Sequence, residues 1–308
     1  MPTPREVHTD SALSTFLAGY SNANFIADDV LPIINVDKKS NTYSKYLLKD
    51  MITAQSDRIS PTGRANQANY EVEAGSYSCI SRALEGLVSS DEVANADDPQ
   101  KPFEHRLKVI WNKILLAREI RCADLLTTAA NFAFTANGSD WTNESTGTPL
   151  ADILAGIEAM TPSMTGENKL IGVCGLPMGN AIRKHPDLRG PGSENRTDGL
   201  MRIAETMGLD EIFVSSAIKN TANEGQAVTR AHVWGSNTFA ILSVPRGEVT
   251  SEAGLFGATF RWGGEPKVTR WDEPALGPNG SEAVKVSFAD DEQVVQNDMG
   301  YLLTGLDA

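Results

Sequence analysis

The sequence predicts a mixed α+β fold with one unusually long helix and segments that project from the main body. Three observations lead to this prediction. Apolar residues recur at helical spacing from Pro102 to about Phe132, without an interior glycine or proline. Segments that suit strands flank a polar tract between residues 43 and 74. From Thr259 onward, the pattern is mostly that of strands.

The composition suits a globular protein and disfavours nucleic acid as a dedicated ligand. With 308 residues, of which 41% are hydrophobic, the chain is long enough to bury a core as one elaborated domain or two modest ones. Forty acidic residues against 27 basic ones give a formal net charge of -13. No overall field therefore attracts the chain to phosphate groups.

Cysteine usage and hydropathy favour a soluble protein in a reducing compartment. The three cysteines, Cys79, Cys122 and Cys174, are odd in number and far apart, which indicates neither a disulfide scaffold nor a zinc ribbon. The N-terminus has no apolar signal core. The longest uncharged stretch, Leu125 to Ser139, is too short and too polar for a membrane-spanning helix.

The first 37 residues show no sustained helical or strand period, and we expect them to form an extended arm. A segment without regular structure of its own must cover its apolar side chains against something else. A neighbouring subunit is the expected cover for the arm's main apolar side chains, which are Phe25, Ile26, Val30 and Leu31.

Residues 38 to 80 are predicted to form a long β-hairpin. Tyr43 to Leu48 suits one strand, and Tyr70 to Ala74 alternates with a period of two, as a second strand would. The tip, Ser56 to Arg64, has too few apolar residues to offset its own ordering entropy. We therefore expect the tip to be mobile or docked on a partner.

A long helix is the strongest element that the sequence predicts. Ser81 to Ala94 is expected to form a first helix, which Pro99 separates from the next. The following helix, Pro102 to about Phe132, would be roughly 45 Å long at about 1.5 Å per residue, more than a compact globule usually hides. We expect it to act as a spine, with Trp111 on its apolar face as a candidate contact with a neighbouring subunit.

The second half of the chain is predicted to mix helices and strands. A hinge rich in Gly, Ser and Thr, between residues 137 and 149, precedes it. The expected helices are Leu150–Met160, Pro177–Lys184 and Gly199–Met207, and the expected strands are Lys169–Cys174, Glu211–Val214, His232–Val244, Thr259–Trp262, Lys267–Asp272 and Glu282–Ala289. The apolar Tyr301-Leu302-Leu303 should return to the core.

Motifs of common enzymes are absent from the sequence. There is no Gly-Lys dipeptide for a phosphate-binding loop, no histidine followed by glutamate, and no Gly-x-Ser-x-Gly nucleophile elbow. Cys174 could act as a nucleophile only if His105, His185 or His232 folded beside it, and a buried structural cysteine is favoured. His185, just before Pro186, is expected to interact with carbonyl groups at a helix end. We therefore predict no enzyme activity, no catalytic residue, no cofactor and no metal site.

Charged residues of the hairpin allow two interpretations. Lys45 and Lys49 at its base could face acidic groups on a neighbour, or could lie on a solvated strand edge where lysines discourage aggregation. At the tip, Arg58 and Arg64 flank Ile59 and could form ion pairs between subunits. An exposed ion pair commonly contributes only about 0 to 1 kcal/mol.

The order of these segments resembles the major capsid proteins of tailed bacteriophages, which share the Hong Kong 97 shell fold. Four stretches carry the resemblance, and together they span nearly the whole chain. They are the arm ending in Ala27-Asp28-Asp29-Val30-Leu31-Pro32, the hairpin from Tyr43, the long helix with Glu119 and Ala123-Asp124-Leu125-Leu126, and the strands from Trp262-Gly263-Gly264 through Trp271-Asp272 to Gly300-Tyr301-Leu302. The specificity comes from their order and spacing.

The resemblance implies five parts and a role in building a shell. The parts are an N-terminal arm (1–37), an extended loop over the adjacent subunit (38–80), a peripheral domain with the spine helix (81–147), an axial α/β domain (148–250) and C-terminal strands that complete the sheets (251–308). Such subunits form hexamers and pentamers of an icosahedral virion capsid around double-stranded DNA, assembled in the cytoplasm of the host bacterium. The implied partners are other copies of the chain, scaffolding, decoration and portal proteins, and packaged DNA contacted without sequence specificity. No membrane is implied.

Two other functions remain open at this point. An encapsulin-like nanocompartment would keep the fold and enclose a protein cargo in place of DNA. An unrecognised hydrolase that uses Cys174 or a carboxylate pair has no motif support. The contents of purified particles test the first alternative, and elution as a small oligomer rather than as capsomers or particles tests the second.

Overall fold

The computed structural model of the chain is organised around two sheets and one long helix. It describes residues 8–9, 14, 22–46, 53–59, 63–67, 71–95, 101–163, 168–188, 199–247 and 254–307. The described elements, in chain order, are β1 (His8–Thr9), α1 (Ala27–Val30), β2 (Ile33–Val36), β3 (Ser40–Tyr46), β4 (Val72–Ser78), β5 (Ile80–Ser89), α2 (Ser90–Ala94), α3 (Pro102–Thr127), β6 (Phe134–Asn137), α4 (Pro149–Met160), β7 (Asn168–Gly175), α5 (Leu176–Lys184), α6 (Leu200–Met207), β8 (Glu211–Ser215), β9 (Ile218–Asn220), β10 (Arg230–His232), β11 (Phe239–Pro245), β12 (Gly257–Glu273), β13 (Ser281–Val294) and β14 (Gly300–Thr304).

The first sheet, which we call the long-strand sheet, has the strand order β1-β12-β13-β5. Strands β12 and β13 are antiparallel along almost their whole length, with a bulge between Trp262 and Lys267. Gly263 and Gly264 in this bulge have φ angles of 84° and 76°, a left-handed conformation that glycine adopts at little cost. Strand β2 pairs in parallel with the first half of β12.

The second sheet, which we call the central sheet, has the strand order β6-β14-β11-β7-β8. Strand β11 is antiparallel to both of its neighbours, whereas β6 and β8 pair in parallel at the two edges. Helices α4, α5 and α6 cover one face, because Ile153, Met178, Ile182, Ile203 and Met207 pack there into one buried cluster with the sheet. Both faces of strand β11 are buried, which explains why its sequence is a nearly continuous apolar run.

Helix α3 joins the two sheets. Leu107, Ile110 and Ile114 in its first half pack against β12 and β13 of the long-strand sheet. Cys122 and Leu126 in its second half pack in the core cluster that includes β7 and β11 of the central sheet. This one helix, about 39 Å long at 1.5 Å per residue, therefore fixes the position of one sheet relative to the other.

Several sequence predictions are confirmed by the structure. The long helix, the hairpin strands, the three later helices and the strands near residues 170, 213, 260, 270 and 285 are all present. The long helix ends at Thr127 rather than near Phe132. At its end, the hydroxyl groups of Thr127 and Thr128 donate hydrogen bonds to carbonyl groups four residues back, at 2.8 and 2.6 Å, and a short 3-10 turn follows.

The helix predicted from Ser81 to Ala94 is wrong for most of its length. Residues Ile80–Ser89 form strand β5, and only Ser90–Ala94 are helical. The residues of β5 pair one by one with β13, about 200 positions away in the sequence, and long-range pairing overrides local helix propensity. Gly86 lets α3 approach this strand, since a Cβ atom there would lie 2.7 Å from Cδ1 of Ile110.

The strand predicted from His232 to Val244 is in fact two separate strands. Arg230–His232 form β10, in a small hairpin with β9, and Phe239–Pro245 form β11. No helix of the described residues is long and apolar enough to cross a lipid bilayer.

Candidate functional site

The segment from Asn22 to Val36 is built into the chain's own core. Ile26, Val30 and Leu31 are at most 5% exposed and share one cluster with α3 and the central sheet. For these three side chains, contact within the chain replaces the neighbour contact expected from the sequence, because almost no surface remains to bury. Phe25 is only partly buried against the same cluster and keeps surface for a partner.

Glu119 fastens this segment to the rest of the chain. Its side chain is fully buried and accepts hydrogen bonds from the backbone N–H groups of Ile26 and Ala27, at 3.2 and 3.0 Å. It also accepts from the Ser215 hydroxyl at 3.1 Å and from the Trp234 indole at 2.6 Å. One carboxylate thus joins α1, α3, β8 and the loop before β11, and both of its oxygens accept hydrogen bonds.

Arg118, next to Glu119 on α3, makes a second link to the same segment. Its guanidinium pairs with Asp28 and donates to the Thr259 hydroxyl at 3.2 Å. Burial alone would lower the pKa of Arg118, but the nearby charge of Asp28 outweighs it and the pKa is raised. The arginine therefore stays charged inside the protein.

The base of the hairpin is held by aromatic stacking. The ring of Phe260 in β12 stacks with both Tyr43 and Tyr77, at centroid distances of 5.1 and 4.8 Å. Asp291 adds a polar link by accepting a hydrogen bond from the Ser78 N–H at 2.7 Å. The pKa of Asp291 is raised, and burial is the largest cause. The hairpin is therefore anchored where it leaves the body.

The tip of the hairpin contacts little of its own chain. All described residues from 53 to 59 and from 63 to 67 are exposed, and Ile59 keeps 52% of its surface. Arg58 and Arg64 form no ion pair with any described residue. Lys45 lies across the hairpin from Glu73 and 5.8 Å from the ring centroid of Tyr43, whereas Lys49 lies outside the described residues.

A groove of about 680 Å³ opens between the N-terminal segment, α3 and the bulge of β12. Its lining includes Phe25, Trp111 and Phe288, together with four acidic and two basic side chains: Asp28, Asp29, Glu265, Asp290, Arg118 and Arg261. We call it the Trp111 groove. The indole of Trp111 meets Phe288 edge-on at 6.5 Å. Its N–H is shielded from solvent and has no hydrogen-bond partner among the described residues.

Two charge pairs reinforce the long-strand sheet beside this groove. Arg261 and Asp290, opposite each other on β12 and β13, are buried and joined by hydrogen bonds of 2.9 and 2.8 Å. Arg121 of α3 holds Glu292 with hydrogen bonds of 3.1 and 2.5 Å. Burial would raise the pKa of Glu292, but the hydrogen bond and charge of Arg121 outweigh it and the pKa is lowered.

Cys174, which could have been a nucleophile, has a structural role. Cys174 is 1% exposed in β7, and burial raises the pKa of its thiol to about 12, so the reactive thiolate is scarce at neutral pH. His185 caps the end of α5 through its backbone N–H. Its buried ring accepts a hydrogen bond from the Asp187 N–H at 3.3 Å instead of donating to the carbonyl groups of the helix end. Within the described ranges, no three His, Cys, Asp or Glu residues are placed to hold a metal ion.

Glu119 and Asp290 are the polar residues whose structural roles the sequence analysis missed. Each lies at a position where the helix or strand pattern predicts an apolar, buried side chain. Glu119 follows Leu115 by four residues and precedes Cys122 by three, on the buried stripe of α3, and Asp290 shares its strand face with Phe288. A charged residue at a core position indicates a buried partner, and this signal could have identified both.

Two phage capsid proteins are similar to the chain in sequence, while no protein-family model matches it. The major capsid protein of Pseudomonas phage JBD67 is 27% identical over 300 residues, which cover 95% of this chain and 95% of that protein. The major capsid protein of Burkholderia phage BcepMu is 25% identical over 332 residues, with 96% of each chain covered. The similarity thus extends over nearly the full length of both relatives.

Solved structures with the same fold include proteins of phages and of a virus-like particle. A phage-related protein from Bordetella bronchiseptica superimposes with a TM-score of 0.73 at 21% identity, over 97% of both chains. The capsid of cyanophage P-SCSP1u gives 0.59 at 12% identity, over 91% of this chain and 88% of that one. The virus-like particle from Pyrococcus furiosus gives 0.56 at 12% identity, over 95% and 96%.

The fold and the sequence relatives support the same assignment. The fold is that of shell proteins, and the sequence relatives along the whole chain are phage capsid proteins. The hairpin that stands out from the body, the long spine helix and the two sheets agree with the same family. The chain has the Hong Kong 97 shell fold, and along nearly its whole length it is similar in sequence to major capsid proteins of bacteriophages.

Proposed function

We propose that copies of this chain associate into hexamers and pentamers that close into the icosahedral head of a phage. The observation that carries this proposal is the hairpin tip, every described residue of which is exposed. A segment that cannot bury surface on its own chain offsets its ordering entropy only by docking on a partner. In a shell of identical subunits, that partner is the next copy.

The arrangement of the elements supports a division into the five parts that the family resemblance implies. The peripheral domain (81–147) would comprise β5 and α3, and the axial domain (148–250) would comprise the helices and strands from α4 to β11. Residues 251–308 would complete both, since β12 and β13 lie in the long-strand sheet and β14 in the central sheet. The extended loop (38–80) and, within the arm (1–37), the partly buried Phe25 would provide contacts with neighbours.

We propose that the shell encloses double-stranded DNA, assembles in the bacterial cytoplasm and has no catalytic activity. The net charge of -13 supports a wall that does not hold DNA tightly, which would otherwise hinder packing and exit. Scaffolding, decoration and portal proteins are further partners of this proposal. The buried Cys174 and the lack of enzyme motifs support the absence of catalysis.

The encapsulin-like alternative rests on the fold shared with the Pyrococcus furiosus virus-like particle. The fold alone does not separate a phage head from a protein-filled shell. Sequence similarity favours the phage head, since both relatives of 25 to 27% identity are phage capsid proteins.

Electron microscopy and gel filtration of the purified, expressed protein test the proposal. We expect capsomers or closed particles with hexameric and pentameric units. A compact monomer at high concentration would contradict the proposal. Particles isolated from a producing host that contain a protein cargo and no DNA would support the alternative.

A further inference from the structure

We propose that Asp291 is a positioning residue that sets how firmly the hairpin is seated on the body, and that one proton on this side chain shifts the hairpin between a seated and a displaced position. The inference rests on the proposed function, because it names a control on the segment that would contact neighbours in the shell. Three features support it: a hinge with two connections, a carboxylate without a cation partner, and the burial of that carboxylate.

The hairpin is joined to the body at two connections. Strands β3 and β4 form a two-stranded sheet of their own, separate from the long-strand sheet. One connection is the bend at residues 37–39, and the other is Cys79, which lies in no strand between β4 and β5. A hydrogen bond of 2.8 Å from the Cys79 N–H to the Lys39 carbonyl group ties the two together. A rotation at these few residues would therefore move the hairpin as one piece.

Asp291 of β13 makes a contact across this hinge. Its Oδ2 atom accepts a hydrogen bond of 2.7 Å from the backbone N–H of Ser78, the last residue of β4. The same oxygen accepts from the side-chain amide of Gln293, also at 2.7 Å. Phe260, which lies opposite Asp291 on β12, stacks with two tyrosines of the hairpin. The polar and apolar contacts that seat the hairpin thus lie on one face of the long-strand sheet.

Asp291 is the middle one of three consecutive acidic residues, and its neighbours have cations that it lacks. Asp290 pairs with Arg261, and Glu292 pairs with Arg121 of α3. Because successive side chains of a strand point to opposite faces, Asp291 points away from α3 and toward the hairpin. It forms no ion pair within the described part of the chain.

The other charged and titratable groups around Asp291 give its ionised form little support. The charge of Glu292 disfavours ionisation, whereas Arg82 of β5 favours it without forming an ion pair, since Arg82 is engaged with Glu292 at 3.9 Å. Tyr43 and Cys79 face Asp291 from the hairpin and the hinge. The pKa of each is raised, first by burial and then by the charge of Asp291, so both stay neutral at neutral pH.

Burial makes the seated hairpin sensitive to the proton. In the seated position, the pKa of Asp291 lies above its ordinary value of 3.8, and burial is the largest cause. Displacing the hairpin would expose the carboxyl group to water and return its pKa toward that value. The position with the higher pKa binds the proton more tightly, so protonation stabilises the seated hairpin and ionisation favours the displaced one. At neutral pH, the ionised carboxylate thus keeps the seat weak enough for contact with another subunit to move the hairpin.

A distance measured across the hinge tests the inference. Spin labels on Glu73→Cys in β4 and Asp272→Cys in β12, both exposed positions, report the position of the hairpin in the full-length, unassembled subunit by double electron–electron resonance. The three native cysteines are buried and stay unlabelled. The seated population should grow as the pH falls from about 8 to about 4.5. The ratio of seated to displaced hairpins should change about tenfold for each unit that separates the two pKa values of Asp291.

Two variants separate the proton from the shape of the side chain. Asp291→Asn stays uncharged, and its amide oxygen still accepts from Ser78, so it should show the acid distribution of distances at every pH. Gln293→Ala removes a donor that favours the ionised form and should move the midpoint of the pH profile to a higher pH. Glu85→Gln changes an exposed carboxylate of the same sheet and should follow the wild type. Circular dichroism checks that each variant is folded.

The outcomes separate this inference from the proposed function. A seated population that is independent of pH, or that grows as the pH rises, would overturn the inference. An Asp291→Asn subunit that titrates like the wild type, or a Glu85→Gln subunit that loses the pH dependence, would overturn it as well. In each case the shell function stands if the wild-type protein forms particles. If the wild-type protein forms no particles, the proposed function itself fails, whatever the distances show.

Discussion

Glu119 joins four parts of the chain that are distant in sequence. It accepts hydrogen bonds from the backbone at Ile26 and Ala27 and from the side chains of Ser215 and Trp234. A buried charge is costly by itself, and it is stable here because the donors around it replace the lost water. The N-terminal segment is held by these bonds as well as by apolar packing.

Replacing Glu119 by alanine should lower the free energy of unfolding by about 3–5 kcal/mol, because the substitution leaves several buried donors without an acceptor. Glu119→Gln should have a smaller effect, since the amide oxygen still accepts. Urea denaturation of the soluble subunit measures both changes. Asp124→Ala, an exposed position on the same helix, is the control. Equal stability of Glu119→Ala and the wild type would refute the role assigned to this carboxylate.

The subunit should lose stability in acid, because protonation of Glu292 removes a stabilising interaction. The pKa of this carboxyl group is lowered in the folded state from its ordinary value of 4.5, since Arg121 outweighs burial. A lowered folded pKa contributes stability at pH values above 4.5, and this contribution is lost as the pH falls from 4.5 through the folded pKa.

We expect Glu292→Gln to cost about 1–3 kcal/mol at pH 7 and to reduce the loss of stability below pH 4.5. Denaturation curves at a series of pH values measure this dependence. Glu144→Gln changes an exposed carboxylate and should leave the dependence unchanged. An unaltered pH profile in Glu292→Gln would show that this pair is not a source of acid sensitivity.

At the scale of elements, the sequence predicts best what local spacing determines. Helix α3 could be recognised because its apolar residues repeat every three or four positions over 26 residues. Strand β5 could not be recognised from local spacing, because its conformation depends on pairing with β13, which follows nearly 200 residues later. The buried state of Ile26, Val30 and Leu31 likewise depends on α3 and the central sheet. Exposure of the tip was predictable, since its composition lacks apolar residues.

Deleting Ile59 to Arg64 should leave a folded subunit that assembles poorly. The tip makes little contact with its own body, whereas the hairpin base is stacked on Phe260 and should keep its structure. Circular dichroism measures folding, and particle counts by electron microscopy measure assembly. Deletion of Asn223 to Gln226, in the exposed turn after β9, offers a loop control. A normal particle yield from the tip deletion would count against the proposed role of the hairpin.

For the whole molecule, net charge is the property that constrains the contents of the shell. A formal charge of -13 on each subunit repels nucleic acid at long range, and only a local basic surface could offset this repulsion. In the DNA-filled shell that we propose, ordered packing of DNA would therefore depend on confinement rather than on attraction.

The purified subunit should bind double-stranded DNA more weakly than a dissociation constant of about 100 µM at physiological salt, the weak end of ordinary non-specific binding. Fluorescence anisotropy with a labelled duplex measures the affinity, and a basic DNA-binding protein serves as the positive control. Binding in the low micromolar range would contradict the role assigned to the charge.

The position of β14 has a consequence for synthesis of the protein. This strand, Gly300–Thr304, lies between β6 and β11 inside the central sheet, so the sheet is incomplete until the ribosome has made residue 304. A nascent chain can form α3 earlier, but it cannot close the sheet on which α3 rests. Prematurely terminated translation products should therefore be excluded from the growing particle, because they never present a finished subunit to it.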